Sequence, residues 1–147
     1  MEEVHGQCSC GAIGYKFSAK SLIAYQCHCS ICRKATGSAF STTLLVPERA
    51  FTWLRGEKGI SSYAKENGYK VNFCSCCGSP VPNKFRDFSL LCVPVGSIDG
   101  APHIDVAVQL YLGSRAQWDS DTLTGRQFHE MPRLDEVLEF LGVHGQR

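Results

Sequence analysis

Three cysteines lie within six residues of this chain, at Cys27, Cys29 and Cys32. Thiolate sulfur is a favoured ligand of zinc, and three thiolates occupy three corners of the tetrahedron that zinc requires. The neighbouring residues offer no evident fourth ligand, and a zinc centre with three protein ligands keeps its fourth position for water or substrate. The spacing therefore predicts a metal centre that is open on one side to a sulfur-containing ligand.

Two cations, Arg33 and Lys34, follow the last of these cysteines. A fourth thiolate at such a zinc centre raises the local charge to about −2, which nearby cations or N–H donors must balance. We expect Arg33 and Lys34 to balance this charge or to bind a substrate carboxylate. His28 lies between two of the cysteines, and alternation along an extended backbone points it away from them. We expect it to lie behind the ligands or at the surface.

Four further cysteines form two short pairs, and each pair is followed by glycine. A structural zinc centre fills all four positions with protein ligands, so the two separated pairs can complete one tetrahedron together. Such a centre joins the N-terminus to the middle of the chain and compensates for a small core. The predicted ligands of this structural zinc are Cys8, Cys10, Cys74 and Cys77.

Two other readings of the cysteines remain open. Both groups can be closed structural sites, with Cys76 or a histidine as the fourth ligand of the second one. A dithiol redox motif at Cys29/Cys32 or at Cys74/Cys77 is the other alternative, although neither pair lies in an evident βαβ unit.

Length and composition set bounds on the class of protein. The 147 residues predict one zinc-binding domain over residues 1–147, and the net charge of +1 disfavours nucleic acid and anionic lipid as partners. The start of the chain lacks the features of a signal peptide, and the apolar run 90–95, which holds Cys92 as an expected buried thiol, is too short to span a bilayer. We therefore expect a cytoplasmic protein whose nine cysteines serve as thiols.

The pattern of apolar and polar residues predicts a mainly β fold with a C-terminal helix. Asn67-Gly68 favours a tight turn that joins two of the strands as a hairpin. Leu134, Val137, Leu138 and Leu141 follow helical spacing. The predicted strands are residues 4–7, 12–17, 22–26, 39–46, 51–54, 60–65, 69–73, 81–85, 89–95 and 104–112.

These motifs resemble one family, the glutathione-dependent formaldehyde-activating enzymes, which are grouped with the centromere protein V domain. The resemblance runs from about residue 5 to 120. This chain departs from the family pattern at two positions. Gln117 stands where the family usually has proline, and Cys76 is an unusual residue within the loop between Cys74 and Cys77. The segments that carry the resemblance are residues 6–13, 27–38, 73–79, 96–99, 103–104 and 114–118.

The resemblance implies a tent-like fold of several short antiparallel sheets with two zinc ions. It implies a structural zinc on the four paired cysteines and a catalytic zinc on Cys27, Cys29 and Cys32. It also implies a reaction that joins formaldehyde to the thiol of glutathione and gives S-hydroxymethylglutathione, which is a carbon–sulfur lyase activity.

Two functions follow as hypotheses. The first is a zinc-dependent carbon–sulfur lyase that acts on a thiol–aldehyde adduct, with glutathione and formaldehyde, or a related small aldehyde, as its partners. The second is a non-catalytic, zinc-stabilised binding module, because relatives of this domain occur in chromatin and cytoskeletal settings. The sequence does not predict an oligomeric state.

Overall fold

A computed structural model of the protein describes residues 1–144. Within this range the chain forms twelve strands and two α-helices, connected in places by single 3-10 turns. In chain order the elements are β1 (Glu2–Gln7), β2 (Gly14–Ala19), β3 (Ile23–Cys27), α1 (Ser30–Thr36), β4 (Ser41–Pro47), β5 (Phe51–Arg55), β6 (Ile60–Ala64), β7 (Lys70–Cys74), β8 (Pro80–Val81), β9 (Asn83–Lys84), β10 (Leu90–Pro94), β11 (Asp105–Leu110), β12 (Arg126–Gln127) and α2 (Leu134–Phe140).

The strands form three sheets. The largest has six strands in the order β12-β11-β3-β4-β10-β9, and the two smaller sheets have the orders β1-β2-β5 and β6-β7-β8. The prediction of a mainly β fold with several small antiparallel sheets and a C-terminal helix is confirmed. One feature was not anticipated: β11 runs parallel to both β3 and β12, so the six-stranded sheet is mixed.

The predicted hairpin is present and ends at the second cysteine pair. β6 and β7 are antiparallel, with Tyr63 opposite Val71, and the Lys65 N–H donates to the Tyr69 carbonyl at 2.8 Å. Gly68 has a φ of +90°, a conformation that glycine adopts without steric cost. The hairpin places Cys74 opposite Ile60 at its base.

The C-terminal helix packs by the apolar face that its spacing predicted. Val137, Leu138 and Leu141 are buried in the core beside β11, and Gly142 ends the helical segment at a φ of +67°. Both α-helices have seven residues, and within residues 1–144 no helix is long and apolar enough to cross a bilayer.

The two cysteine groups lie in different hydrophobic clusters. Cys8 and Cys74 pack with Ile13 and Val81 in a small hydrophobic cluster. Cys27 belongs to the larger cluster around β11 and α2, and Cys29 and Cys32 pack against its edge. The fold therefore separates the two predicted metal centres into two packing environments.

Candidate functional site

The four paired cysteines converge on one point. The Sγ atoms of Cys8, Cys10, Cys74 and Cys77 all lie within 4.8 Å of one another. Cys8 and Cys10 are 3.6 Å apart at sulfur, and Cys10 and Cys74 are 3.8 Å apart. A tetrahedral zinc with Zn–S bonds of about 2.3 Å has sulfur–sulfur edges of about 3.8 Å. The donor set and its spacing therefore fit a closed four-thiolate zinc centre.

Two similar backbone loops carry these cysteines. The Gly11 N–H donates to the Cys8 carbonyl at 3.0 Å, and the Gly78 N–H donates to the Cys74 carbonyl at 2.8 Å. Both glycines have positive φ, at +76° and +75°. L-residues with a Cβ atom rarely adopt this conformation, which explains why a glycine follows each cysteine pair.

Donors from the chain surround the sulfur atoms of this centre. The Ile13 N–H donates to Cys8 Sγ at 3.3 Å. The Ser79 hydroxyl lies 3.2 Å from Cys77 Sγ and, together with the Ser79 N–H, lowers the pKa of Cys77 to about 5. Donors of this kind stabilise thiolates, which are the form that binds metal.

The three remaining clustered cysteines come from the end of β3 and the start of α1. Cys27 is the last residue of β3, Cys29 is the N-cap of α1, and Cys32 lies in its first turn. Their Sγ atoms lie within 4.8 Å of one another, and the Cys32 N–H donates to Cys29 Sγ at 3.3 Å. Three thiolates in this arrangement fit three of the four positions of a tetrahedral zinc.

The electrostatics of this centre favour a thiolate at its middle. Hydrogen bonds from the thiols of Cys27 and Cys32 lower the pKa of Cys29 to about 2. The same contacts, from Cys29 first and Cys32 second, raise the pKa of Cys27, which is also buried. Each additional negative sulfur is therefore costly without a cation, and a bound metal ion removes that cost because it deprotonates its thiol ligands.

His28 lies behind the three cysteines and is completely buried, so its surface alternative is wrong. Gln109 uses its amide N–H groups to donate to Gln26 Oε1 at 2.8 Å and to the Thr124 carbonyl at 3.1 Å. Gln109 Oε1 must therefore accept from His28 Nε2, at 2.6 Å. The other ring nitrogen, Nδ1, lies 3.8 Å from Asp119 Oδ2. The hydrogen bond to Gln109 fixes the ring orientation and requires a proton on Nε2, whereas Nδ1 has no hydrogen-bond partner in the described structure.

A cavity of about 920 Å³ opens in front of the three-cysteine centre. Cys27, Cys29 and Cys32 all line it, whereas none of the four paired cysteines contributes to the lining within residues 1–144. The three-cysteine centre therefore faces the cavity with its own sulfur ligands, whereas the four-cysteine centre contributes to the lining through neighbouring residues such as Ser9 and Ser79 and not through its sulfur atoms. The two centres therefore differ in which of them presents sulfur atoms to a ligand in the cavity.

The two cysteines outside both clusters have different surroundings. Cys92 lines the cavity wall and hydrogen-bonds to Tyr25, and burial raises its pKa to about 12, so it is a neutral thiol. Cys76 is exposed and belongs to neither sulfur cluster. All nine cysteines fall within the described residues, and all are free thiols.

Arg33 and Lys34 lie on α1, beyond the ligand Cys32. Lys34 is exposed, Arg33 is half-buried, and neither is part of the cavity lining in the described structure. Their predicted contact with substrate stays a prediction. The cations that do line the cavity are Lys70, Lys84 and Arg86, which the sequence reasoning missed.

Tyr69 and Tyr111 also line this cavity, and no sequence motif predicted their position there. Burial, followed by the nearby sulfur of Cys32, raises the pKa of Tyr69 to about 12. Burial and the sulfur atoms of Cys27 and Cys29 raise the pKa of Tyr111. Tyr111 also has a left-handed backbone, with φ 58° and ψ 43°. Both side chains are therefore neutral phenols near pH 7 and can donate hydrogen bonds.

The indole of Trp118, in a segment that carries the resemblance, is 70% exposed and lies outside the cavity lining. Its neighbour Arg115 instead pairs with the buried carboxylate of Asp119 at 3.1 Å. This ion pair extends the polar network behind His28.

Comparison with known proteins identifies the family of this chain. Residues 3–114 match the family described as "Glutathione-dependent formaldehyde-activating enzyme". The match covers more than half of the chain and both cysteine centres, and the chain therefore belongs to this family. A crystal structure of a Rhodobacter sphaeroides protein is similar in fold, with a TM-score of 0.56 and 22% sequence identity. That likeness covers 67% of this chain and 90% of the other.

Proposed function

We propose that this protein is a zinc-dependent carbon–sulfur lyase of the S-(hydroxymethyl)glutathione synthase type. Its substrates are a small thiol, with glutathione as the leading candidate, and formaldehyde or a related small aldehyde. The observation that carries the proposal is that Cys27, Cys29 and Cys32 line the cavity, whereas none of the four paired cysteines does within the described residues. Family membership supports glutathione and formaldehyde as the reacting pair.

The proposed cofactor is two zinc ions. Cys8, Cys10, Cys74 and Cys77 hold the structural ion, and Cys27, Cys29 and Cys32 hold the catalytic one. When bound at the catalytic position, zinc stabilises an added thiol as a thiolate near neutral pH. The proposed role of the structural ion is to support the fold, because none of its four ligands lines the cavity within residues 1–144.

The proposed reaction forms one carbon–sulfur bond. The thiol sulfur attacks the carbonyl carbon of the aldehyde, the π electron pair of the carbonyl moves to oxygen, and that oxygen takes up the proton that the thiol has lost. The reverse reaction breaks the same bond. The neutral phenols of Tyr69 and Tyr111 line the cavity and can donate hydrogen bonds to the oxygen as its charge develops.

The free thiols and the net charge of +1 also support the proposed setting. Nine unpaired cysteines suit a reducing compartment, and we propose the cytoplasm. The charge balance gives no global field for nucleic acid. A small thiol in the cavity is the proposed partner.

The experiment that tests the proposal compares Cys29→Ser with Cys76→Ser. Cobalt is substituted for zinc, and glutathione is titrated while the thiolate–cobalt absorption is recorded. We expect glutathione to change the spectrum of the wild type and of Cys76→Ser, because Cys76 lies outside both clusters. We expect no change in Cys29→Ser, which lacks one ligand of the open centre.

The same titration decides against the proposal if the wild type does not respond to glutathione or any related thiol. Two fully closed four-ligand spectra that ignore added thiol indicate the non-catalytic binding module instead. Steady-state formation of S-hydroxymethylglutathione, measured for the same three proteins, then separates thiol binding from catalysis.

A further inference from the structure

The cavity wall carries three cations and, within the described residues, no carboxylate. Lys70, Lys84 and Arg86 all line the cavity in front of the three-cysteine centre. Apart from the sulfur atoms, its other lining side chains are neutral. A cleft lined by charges of one sign concentrates ligands of the opposite sign. A wall of this charge favours anionic ligands.

The three cations come from adjacent parts of the chain. Lys70 begins β7, Lys84 ends β9, and Arg86 follows two residues later. Asn83 of β9 donates from its side chain to the Lys70 carbonyl at 3.3 Å, which ties the two strands together. The cations therefore share one side of the cavity, formed by different elements from those that carry the cysteines.

The charge of Arg86 acts inside the cavity. Burial raises the pKa of Cys92 to about 12, and the positive charge of Arg86 acts in the opposite direction. Burial and the sulfur of Cys27 raise the pKa of Tyr111, which Arg86 again counteracts. Cys92 and Tyr111 both line the cavity. Arg86 also has a left-handed φ of +50°, which is uncommon for a residue with a side chain.

Glu48 and Glu130 act on residues of this cavity without lining it. Glu48 pairs with Lys84 at 3.3 Å, and both side chains of this pair are at least 40% exposed. An exposed pair of this kind contributes little and can exchange for another carboxylate. Glu130 acts on the pKa of Tyr111 but is not a lining residue. No carboxylate of residues 1–144 lines the cavity, so the charged side chains of the lining are all positive apart from the sulfur atoms.

From this wall we infer that Arg86 and Lys70, with Lys84 assisting, bind the carboxylates of the thiol substrate and so select it over neutral thiols. The inference rests on the proposed function and adds the part of the substrate that is recognised away from sulfur. Arginine binds a carboxylate through two parallel N–H groups, so Arg86 contributes most to the selection. Neutral thiols of similar size then bind more weakly.

The test uses S-methylglutathione and its dimethyl ester, which have similar size and no free thiol. Binding to the zinc-loaded protein is measured by calorimetry for the wild type, Arg86→Gln and Lys58→Gln. Lys58 is an exposed cation outside the cavity lining and serves as the matched control. Arg86 is also exposed, so neither substitution disturbs the core, and thermal melts verify this.

We expect the wild type and Lys58→Gln to bind the acid roughly 10- to 100-fold more tightly than the ester, as hydrogen bonds to charged groups predict. Arg86→Gln should lose most of this ratio while its affinity for the ester stays the same. Added salt should weaken binding of the acid only.

Equal affinity for acid and ester in the wild type, or no binding of either, overturns the inference. An unchanged ratio in Arg86→Gln overturns the role of that residue. Failure of the proposed function gives a different result: the acid–ester ratio persists, but glutathione binds no better than S-methylglutathione and leaves the cobalt spectrum unchanged.

Discussion

The two cysteine centres use the same ligand atom and differ in how the chain assembles them. Cys10 and Cys74 are 64 positions apart, so their centre exists only when two distant segments meet. Cys27, Cys29 and Cys32 span six residues and are brought together by a strand end and one helical turn. The type of ligand indicates which metal can bind, whereas the placement of the ligands in the fold determines whether a further ligand can reach the metal.

The two centres also differ in the side chains that surround them. The four-cysteine centre sits on its own small apolar cluster, which includes Ile13 and Val81. The three-cysteine centre has the cavity on one side and the buried polar network of His28 and Gln109 on the other. The four-cysteine centre therefore lies on apolar side chains, whereas the three-cysteine centre lies between a buried polar network and the cavity.

The largest expected effect comes from removing one ligand of each centre. Cys77→Ser should abolish the folded state, because structural zinc contributes about 10–16 kcal/mol in small peptides and a domain has a total stability of about 5–15 kcal/mol. Cys29→Ser should melt close to the wild type. The three ligands of this centre are close together in sequence, so the unfolded chain can also bind metal with them. Metal binding at the three-cysteine centre therefore adds less to the free energy of unfolding.

Circular dichroism melts and the zinc content per chain, measured for Cys77→Ser and Cys29→Ser, check these expectations. Cys76→Ser is the control, because it removes an exposed thiol next to Cys77. A normally melting Cys77→Ser contradicts the structural role of the four-cysteine centre. An unfolded Cys29→Ser removes the distinction between the centres.

A second, smaller loss of stability is expected at Gly56, which lies close to the loop that follows Cys8 and Cys10. Gly56 has a φ of +75°, and a Cβ atom there would overlap the Ala12 carbonyl oxygen. Gly56→Ala should cost about 2–5 kcal/mol, the sum of left-handed strain and overpacking. Gly59→Ala in the same turn is the control, because a Cβ atom at Gly59 would meet nothing within 4 Å and the φ of this residue is not positive. Urea unfolding measures both.

Gln109→Met should have an intermediate effect at the other centre. The substitution keeps the volume but leaves His28 and Gln26 without their buried partner. We expect a loss of about 1–3 kcal/mol in unfolding free energy. The exposed Gln117→Met serves as the control. If both variants unfold at the same urea concentration, the network does not hold the open centre in position.

The smallest effect is expected at the end of α1. Gly37 has a φ of +64°, and a Cβ atom would meet nothing within 4 Å. Gly37→Ala should therefore cost only the conformational strain, about 1 kcal/mol. Gly37→Asn should recover part of that loss, because asparagine tolerates the left-handed conformation. A loss as large as that of Gly56→Ala would mean that the two centres are equally intolerant of change.

Local signals predicted the parts of the fold that depend on local chemistry. Asn67-Gly68 marked the β6–β7 hairpin, and the spacing of Leu134 and Val137 marked α2. The separation of the cysteines into a group of four and a group of three is also found in the structure. Each of these features is determined by residues close together in sequence or by the ligand number of one metal.

The features that sequence reasoning missed depend on contacts between distant residues. The parallel pairing of β3 with β11 joins segments about eighty positions apart, and no turn marks it. The burial of His28 follows from that pairing. The cationic wall has the same origin, since Lys70 and Arg86 belong to elements that meet the cysteines only in the folded chain.

The parallel pairing also determines when the open centre is completed during synthesis. The His28 N–H donates to the Leu110 carbonyl at 2.9 Å, and Leu110 is made 82 residues after His28. At about 5–20 residues per second, Cys27, Cys29 and Cys32 wait roughly 4–16 s for the strand that encloses them. During that interval their thiols are exposed to oxidants as well as to metal. We expect early metal loading to protect the nascent chain.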